Sequence, residues 1–239
     1  MNTSLVPATV TKEAWDKDSG SGLQYAQPFT DSENRHGPWA HAVKRTVDIL
    51  GGGFLLILLA PIMLLIAAFI CLTFSGPVLY CNTRVGIGGK GFICYKFRTM
   101  IVGAQEYLDW YLDNNPRARS EWGQNLKLKK DPRVTLWGRF LRIWSLDELP
   151  QLWNVVRGDM SLVGPRPMMP GELEAYGAAN YRQAKPGITG LWQVSGRNCL
   201  TFYERACLDS WYIDNWTLML DIKLLLRTVS AVLGRKGAF

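Results

Sequence analysis

Two adjacent carboxylates, Asp147 and Glu148, are the residues whose type and spacing most directly suggest chemistry. They lie in the stretch Ser145–Pro150, where a helix is expected to begin. Ser145 and Glu148 have the spacing of a capping box, although Pro150 could instead mark the first helical turn. The free N–H groups of a helix start favour phosphate. Because paired carboxylates also commonly offset a helix dipole, their role depends on the residues around them.

Five basic residues could neutralise a phosphate beside these carboxylates. Arg166 lies between Pro165 and Pro167, whose fixed backbone angles present its planar guanidinium at little entropic cost. Any one of these cations alone is more simply explained as a solvated surface charge. Two carboxylates able to bind a divalent ion, together with several cations, are what phosphoryl transfer requires. The other four candidates are Lys96, Arg98, Arg142 and Arg197.

Composition excludes several other chemistries. The 239 residues include only two histidines, His36 and His41, which effectively rules out Ser-His-Asp triads, HExxH metalloproteases and three-histidine zinc sites. The net charge is +7, and residues 76–239 carry 22 basic and 14 acidic groups, whereas residues 49–75 carry no charge. A basic body beside an apolar segment suggests anionic partners such as nucleotides, phosphates or lipid head groups. We expect no nucleic acid among them.

The uncharged segment Ile49–Phe74 has 26 residues, more than the roughly 20 needed to cross a bilayer. Pro61 lies at its thirteenth position and predicts a break or kink, which leaves two halves that are each too short to cross. Basic residues flank both ends, with Lys44 and Arg45 before the segment and Arg84, Lys90, Lys96 and Arg98 after it. Such residues mark the cytoplasmic side of a membrane. We therefore predict a re-entrant helix that enters and leaves on the cytoplasmic face. A simple spanning helix is the alternative.

The predicted fold class is α+β and mostly helical, with a proline-broken re-entrant membrane helix, a small β-hairpin, and interfacial amphipathic helices around a cytosolic catalytic domain. The predicted organisation is a flexible polar tail at 1–42, the membrane helix at 43–75 and the catalytic domain at 76–239. The loop Gly86–Gly91 matches GxGxxG, but an alternating strand follows it where a dinucleotide site needs a helix. The predicted strands are Val78–Arg84, Phe92–Arg98 and Gly190–Val194. The predicted helices are Ala104–Asp113, Leu136–Trp144, 147–156 and Leu218–Val232.

Several long motifs occur in a specific order along residues ~43–239. They are Lys44-Arg45 with Asp48, the proline-containing apolar helix, Lys96–Met100, Ser145–Leu152, Gly158–Pro167 and Lys185–Asn198. Together they resemble the bacterial sugar transferases, the monotopic polyprenyl-phosphate phosphoglycosyl transferases. The insert Glu106–Arg133 and the stretch Asp209–Trp216 most resemble the undecaprenyl-phosphate galactose or glucose phosphotransferases. The short polar residues 1–42 resemble the short form of the family, which lacks additional N-terminal membrane helices.

The resemblance implies transfer of a hexose-1-phosphate from a UDP-sugar to undecaprenyl phosphate, with release of UMP, as the first membrane step of exopolysaccharide, capsule or O-antigen synthesis. It implies Mg²⁺ held by Asp147 and Glu148. It also implies Asp147 as the nucleophile on the β-phosphorus, which forms a covalent aspartyl phosphosugar, and Glu148 as its assistant through the metal or by proton transfer. Family positions at the phosphate and nucleotide site match Lys96, Arg142, Arg166 and Arg197. Arg98 is a further substrate-binding candidate, because with Lys96 it ends the hairpin near the membrane.

Location and partners follow from the same resemblance. We expect a monotopic protein of the bacterial inner membrane, in contact with membrane lipid, whose catalytic domain faces the cytoplasm. Galactose and glucose are the favoured sugars. The sequence leaves open whether the protein forms a homodimer. The rival hypothesis is a non-catalytic membrane-anchored scaffold that recruits other polysaccharide assembly enzymes through its basic surface. That hypothesis gives no reason for carboxylates at 147 and 148 beside the proline-framed Arg166.

Overall fold

The computed structural model of the protein describes residues 37–125, 128, 130–176, 180–195 and 200–233. Most of the predicted tail and the candidate Arg197 lie outside the described residues. The helices are α1 Pro38–Thr73, α2 Ala104–Asp113, α3 Pro116–Asn125, α4 Leu136–Ile143, α5 Gln151–Arg157, α6 Pro170–Tyr176, α7 Leu191–Ser195, α8 Phe202–Asp214 and α9 Leu218–Leu233. The strands are β1 Leu79–Val85, β2 Gly91–Phe97, β3 Ser161–Val163 and β4 Gly187–Thr189.

The predicted mostly helical fold with a small hairpin is confirmed. Strands β1 and β2 pair in antiparallel register, from Leu79 opposite Phe97 to Val85 opposite Gly91. Each strand lies within one residue of its predicted bounds. A single 3₁₀ turn, Ile87–Gly89, connects them, in line with the hairpin interpretation of the glycine-rich loop. Two predicted strands on either side of a glycine cluster are therefore a sufficient local signal for this hairpin.

The strand predicted at Gly190–Val194 is wrong. Strand β4 ends at Thr189, and Leu191–Ser195 is the short helix α7. The adjacent side chains Leu191 and Trp192 are both buried, which a strand with one buried face does not permit. A run of five residues that is apolar at several positions fits either element, so local periodicity was a poor guide here.

Helix α1 is one uninterrupted helix of 36 residues. It begins at Pro38, inside the predicted tail, because proline is well tolerated at the first helical position. It continues through Pro61, so the predicted break into two separate helices is wrong, while a kink at Pro61 stays a prediction. Proline removes one hydrogen bond, but long hydrogen-bonded stretches on both sides keep the helix continuous. Whether the helix re-enters or spans stays a prediction.

The surface of α1 is that of a membrane-embedded segment. Within the described part of the chain it is the one helix long and apolar enough to cross a membrane, and 6% of its most apolar stretch is buried. Leu64, Leu65 and Leu72 are at least 70% exposed. Because a core helix of a soluble protein is mostly buried, this exposed apolar surface indicates association with a membrane.

Polar residues near the start of α1 attach it to the rest of the protein. The Arg45 guanidinium donates hydrogen bonds to the carbonyl oxygens of Val155 (2.6 Å) and Val156 (2.7 Å), near the end of α5. The buried carboxylate of Asp48 accepts hydrogen bonds from the Leu162 N–H (2.8 Å) and from a serine hydroxyl of β3. The same segment forms a salt bridge between Lys44 and Asp221 of α9. The start of the membrane helix is thus attached to α5, β3 and α9.

The parallel pairing of β3 with β4 joins two motifs that are distant in sequence. Ser161 lies opposite Gly187, and Val163 lies opposite Thr189. The main chains approach so closely that a Cβ on Gly187 would lie 2.1 Å from the nitrogen of Gly164. A buried cluster that includes Val155, Met160, Leu191 and Leu224 packs around this pair. The loop that carries Arg166 therefore starts from a rigid support.

Gly187→Ala is expected to destabilise the protein by about 3 kcal/mol, because overpacking against main chain cannot be relieved by rotation of a side chain. Gly123→Ala is the matched control, since a Cβ there has no neighbour within 4 Å and alanine favours the helix that contains it. Thermal unfolding in detergent measures both variants. Equal unfolding temperatures would contradict the tight approach of the two motifs.

Candidate active site

The carboxylate pair lies on its own 3₁₀ turn, Leu146–Glu148, between α4 and α5. The helix predicted from 147 starts only at Gln151, with Pro150 as its N-cap residue. Ser145 precedes the turn in the left-handed conformation (φ 55°) and makes no capping hydrogen bond, so the capping-box alternative is wrong. Left-handed non-glycine residues are strained and concentrate at functional sites. The tight turn separates the two carboxylates from the helix that follows.

A buried asparagine fixes the distance between this turn and the hairpin. Asn154 of α5 donates to the carbonyl oxygen of Ile93 (2.7 Å) and accepts from the N–H of Tyr95 (3.2 Å). Its carboxamide thus makes the hydrogen bonds to the main chain of β2 that a neighbouring strand would otherwise make. Sequence reasoning missed Asn154, although an uncharged polar residue inside a short apolar helix is a usable signal. As a result, β2 presents Lys96 to the carboxylate pair.

Lys96 and Glu148 form the central ion pair of the site. The Lys96 Nζ lies 2.6 Å from Glu148 Oε1, and both side chains are about one third exposed. Burial opposes the charge on Lys96, but the nearby Glu148 and Asp147 carboxylates raise the pKa of its ammonium above the ordinary value. Lys96 therefore stays positive throughout the physiological range and brings its charge to the turn.

The two carboxyl groups have opposite pKa shifts. Burial, followed by the charge of Glu148, raises the pKa of Asp147 to about 6, although Lys96 and Arg142 oppose the shift. Burial also acts against the charged form of Glu148, but Lys96, and then Arg166 and Arg84, hold its pKa below the ordinary value. Neighbouring carboxyls with separated pKa values are typical of catalytic pairs with different roles. Asp147 is the more basic of the two and is 8% exposed.

Arg142 acts on Asp147 from α4. Its Nε donates to the Thr99 hydroxyl at 2.9 Å, which holds the guanidinium between α4 and the end of β2. Burial lowers the pKa of Arg142, while the charges of Asp147 and Asp131 counteract that effect. Asp131 itself is paired with Arg133 through three side-chain hydrogen bonds. The segment before α4 thus keeps a second ion pair beside the site.

Arg166 reaches the same site from the loop after β3. Its main-chain N–H donates to the buried Asp209 carboxylate (3.0 Å), and its carbonyl oxygen accepts from the Tyr181 hydroxyl (2.8 Å). Its guanidinium lies 5.8 Å from the ring centre of Trp192. The charge of Arg166 lowers the pKa of Glu148 and so acts on the carboxylate pair. The proline-framed geometry is thus reinforced at both main-chain polar groups.

Sequence reasoning also missed Arg84, which was interpreted only as a basic flank of the membrane segment. Arg84 extends from β1, donates to the carbonyl oxygen of Pro167 (3.1 Å) and forms a salt bridge with Glu172. It lowers the pKa of Glu148 together with Lys96 and Arg166. Arg84 alternates in sequence with other inward-facing residues of the hairpin, and this alternation was the available signal. Its partners, however, are more than 80 residues away in the sequence.

The structure does not bring Arg98 to the carboxylate pair. Although Arg98 lies two residues after Lys96, its guanidinium lines an apolar cavity between α1 and α4. The structure therefore brings together Asp147, Glu148, Lys96, Arg142 and Arg166, whereas Arg98 lies in the wall of the neighbouring cavity. Arg197 lies outside the described residues.

A magnesium ion fits the oxygen donors at this turn. Among the residues that the structure describes, no three His, Cys, Asp or Glu side chains cluster as a complete metal site. Mg²⁺ usually needs only one or two carboxylates, together with water and substrate phosphates. Asp147 and Glu148 can supply these hard oxygen ligands next to a phosphate, so their chemistry suits the ion.

Comparison with known proteins assigns the family. The chain is 51% identical over 199 residues to the undecaprenyl-phosphate galactose phosphotransferase of Salmonella typhimurium; the match covers 82% of this chain but 42% of that protein. It is 43% identical to the exopolysaccharide production protein ExoY of Rhizobium meliloti (84% of this chain and 90% of that protein). It is 42% identical to the UDP-glucose:undecaprenyl-phosphate glucose-1-phosphate transferase of Caulobacter vibrioides, with 82% and 72% covered. Since the family profile described as "Bacterial sugar transferase" matches residues 39–235, the chain belongs to the bacterial sugar transferases.

Proposed function

We propose that the protein transfers a hexose-1-phosphate from a UDP-sugar to undecaprenyl phosphate and releases UMP. The observation that carries the proposal is the pair Asp147 and Glu148, with opposite pKa shifts, inside a group of cations from three separate segments. The printed names of the relatives supply the substrates: undecaprenyl phosphate with galactose in one and with UDP-glucose in another. A role in exopolysaccharide synthesis is supported by the name of ExoY.

The first chemical step would be attack by Asp147 on the β-phosphorus of the donor. A carboxylate is repelled by a diphosphate, so positive charge must neutralise the donor before attack. Lys96, Arg142 and Arg166 supply such charge from different directions. A bond forms between the Asp147 oxygen and the phosphorus, the bond to the bridging oxygen breaks, and UMP leaves with that oxygen. Mg²⁺, held by the dyad and the donor phosphates, would supply further neutralisation of the diphosphate charge.

The second step would return Asp147 to its free state. An oxygen of undecaprenyl phosphate attacks the same phosphorus, and the bond to Asp147 breaks, so the sugar phosphate ends on the lipid as a diphosphate. A covalent intermediate lets one site serve a soluble donor and then a membrane-bound acceptor. The rigid attachment of α1 to α5 keeps the reacting carboxylate at a constant position relative to the membrane helix.

The decisive experiment is release of UMP by purified protein from a panel of UDP-hexoses, with undecaprenyl phosphate and Mg²⁺. We expect turnover with UDP-galactose or UDP-glucose, and loss of turnover on chelation of the metal. A non-catalytic scaffold would release no UMP from any donor. The panel also identifies the sugar.

The pKa of Asp147 predicts a pH dependence. Because only the ionised carboxylate attacks, kcat/KM for the UDP-sugar should rise with pH through about 6 and then level off. Arg142→Gln removes a charge that lowers the pKa of Asp147, so its rise should move to higher pH. A pH series from 5 to 8.5 measures both. A flat profile for the unmodified protein would contradict Asp147 as the attacking base.

For topology, we propose that α1 is kinked at Pro61 and re-enters, so that the catalytic body lies on the cytoplasmic face of the bacterial inner membrane. Both ends of the apolar segment carry basic residues, which supports this arrangement. In a cysteine-free background, Ser4→Cys should react with a membrane-impermeant reagent only after lysis. Pro61→Leu should favour spanning and give mixed labelling with reduced activity. Labelling of position 4 in intact cells without the Pro61 change would support the spanning alternative.

A further inference from the structure

An apolar cavity of about 270 Å³ lies between α1 and α4, next to the catalytic turn. Leu146, the residue directly before Asp147, forms part of its wall. Ile66 and Phe69 line it from α1, and Trp137 lines it from α4. The cavity therefore connects the apolar surface of the membrane helix with the neighbourhood of the carboxylate pair.

The cavity opens on surface that suits lipid. Four of its lining residues have large apolar side chains that are substantially exposed: Leu65 (72%), Trp137 (49%), Phe140 (46%) and Ile62 (44%). They belong to α1 and to the adjacent helix α4, so the exposed apolar surface is continuous across the two elements. A hydrocarbon chain could enter the cavity from the bilayer without crossing water.

Arg98 is the charged side chain in this otherwise apolar wall. Its Nη2 is completely buried and has no hydrogen-bond partner among the described residues. The lack of a side chain at Gly76 makes room for this guanidinium, because a Cβ at that position would lie 2.4 Å from Arg98 Nη1. A buried donor without a partner is costly, and a planar guanidinium binds phosphate well. Arg98 thus brings a guanidinium with an unused donor to the wall of an apolar space.

We propose that this cavity binds the first isoprene units of the lipid acceptor and that Arg98 donates to the acceptor phosphate. The inference rests on the proposed function and assigns its second substrate a separate place. An apolar cavity of about 150 Å³ binds benzene, so 270 Å³ has room for about two five-carbon units. A UDP-sugar has no apolar segment to fill such a space, whereas a polyprenyl phosphate combines a hydrocarbon chain with one anion.

The first test removes the charge. At saturating UDP-sugar, Arg98→Gln should raise the KM for undecaprenyl phosphate about tenfold or more and leave the KM for the UDP-sugar within about twofold. Arg139→Gln is the matched control, because Arg139 is an exposed arginine on α4 that does not line the cavity. Binding of a fluorescent polyprenyl phosphate to the protein in nanodiscs provides a readout that does not depend on turnover, and it should weaken by a similar factor in Arg98→Gln.

The second test fills the space. Ile66→Trp should raise the KM for undecaprenyl phosphate about fivefold or more, because the larger ring occupies the cavity. Leu72→Trp is the control, since Leu72 lies on the same helix, is 87% exposed and does not line the cavity. Thermal unfolding confirms that each variant is folded. If Arg98→Gln does not fold, Ile66→Trp still tests the site.

The outcomes separate this inference from the proposed function. Unchanged acceptor KM and unchanged polyprenyl phosphate binding in both cavity variants would overturn the inference. A parallel rise in the KM for the UDP-sugar would overturn it too, because Arg98 would then serve the donor. The inference would also be overturned if Arg98→Gln lost co-purified phospholipid but kept the same KM for undecaprenyl phosphate. Absence of UMP release by the unmodified protein would instead overturn the proposed function, while the binding assay would continue to test the cavity.

Discussion

Asp147→Asn is expected to reduce UMP release by about 10³-fold or more, because the amide keeps the size of the side chain but cannot act as the nucleophile. The position is almost completely buried, and burial is the main reason that its charge is disfavoured. Removal of the charge should therefore leave the unfolding temperature unchanged or higher. Stopped-assay measurement of UMP and thermal unfolding of the same preparation test the two expectations together.

Asp109→Asn is the matched control for this substitution. Asp109 lies on α2 and accepts a hydrogen bond from Gln105 on the exposed surface. Activity should stay within about twofold of the unmodified protein. Glu148→Gln should also be severe, because it removes the partner of Lys96. Near-normal turnover of Asp147→Asn would contradict the covalent scheme.

The parts of the fold that could be predicted from the sequence are those set by local signals. The hairpin follows from two strands around a glycine cluster, and helix α2 ends at Asp113 as predicted, directly before Asn114-Asn115-Pro116. Lys96, Arg142 and Arg166 were predicted as site residues because the motifs place unusual residues within short stretches of the sequence. Each of these signals acts within a few residues and does not depend on the tertiary fold.

The features that sequence reasoning missed depend on distant partners. Asn154 serves β2 across 61 residues, and Asp209 holds Arg166 across 43 residues. Lys44 and Arg45 were interpreted as topological flank charges, yet they bind carbonyl oxygens of the catalytic body. The position of a charge in the sequence does not reveal which main-chain groups it will meet after folding.

Arg98 shows that the spacing of two cations in the sequence does not reveal whether they bind the same substrate. Lys96 and Arg98 are two residues apart, which places their side chains on the same face of an extended chain. The strand ends at Phe97, however, and the following residues pack against α4, so the two cations enter different spaces. Because β2 ends between Lys96 and Arg98, these two cations belong to two different sites and not to the single basic cluster that was predicted.

The second large effect is expected at Arg166. Arg166→Ala should lower kcat/KM for the UDP-sugar by about 10–150-fold, which corresponds to roughly 1.5–3 kcal/mol for charge-assisted hydrogen bonds to the diphosphate. Arg157→Ala is the control, because Arg157 is an exposed arginine whose ion pair with Asp159 is weak. Steady-state kinetics with varied UDP-sugar measure both variants.

Arg166→Lys distinguishes shape from charge at this position. The main chain of Arg166 is held by Asp209 and Tyr181, and this support does not change when the side chain is replaced. The backbone will therefore present a lysine from the same point, and any remaining loss reports the missing planar fork. We expect partial recovery, with kcat/KM about tenfold below that of the unmodified protein. Complete recovery would show that a point charge suffices and that the prolines and their buried partners do not serve to orient a guanidinium.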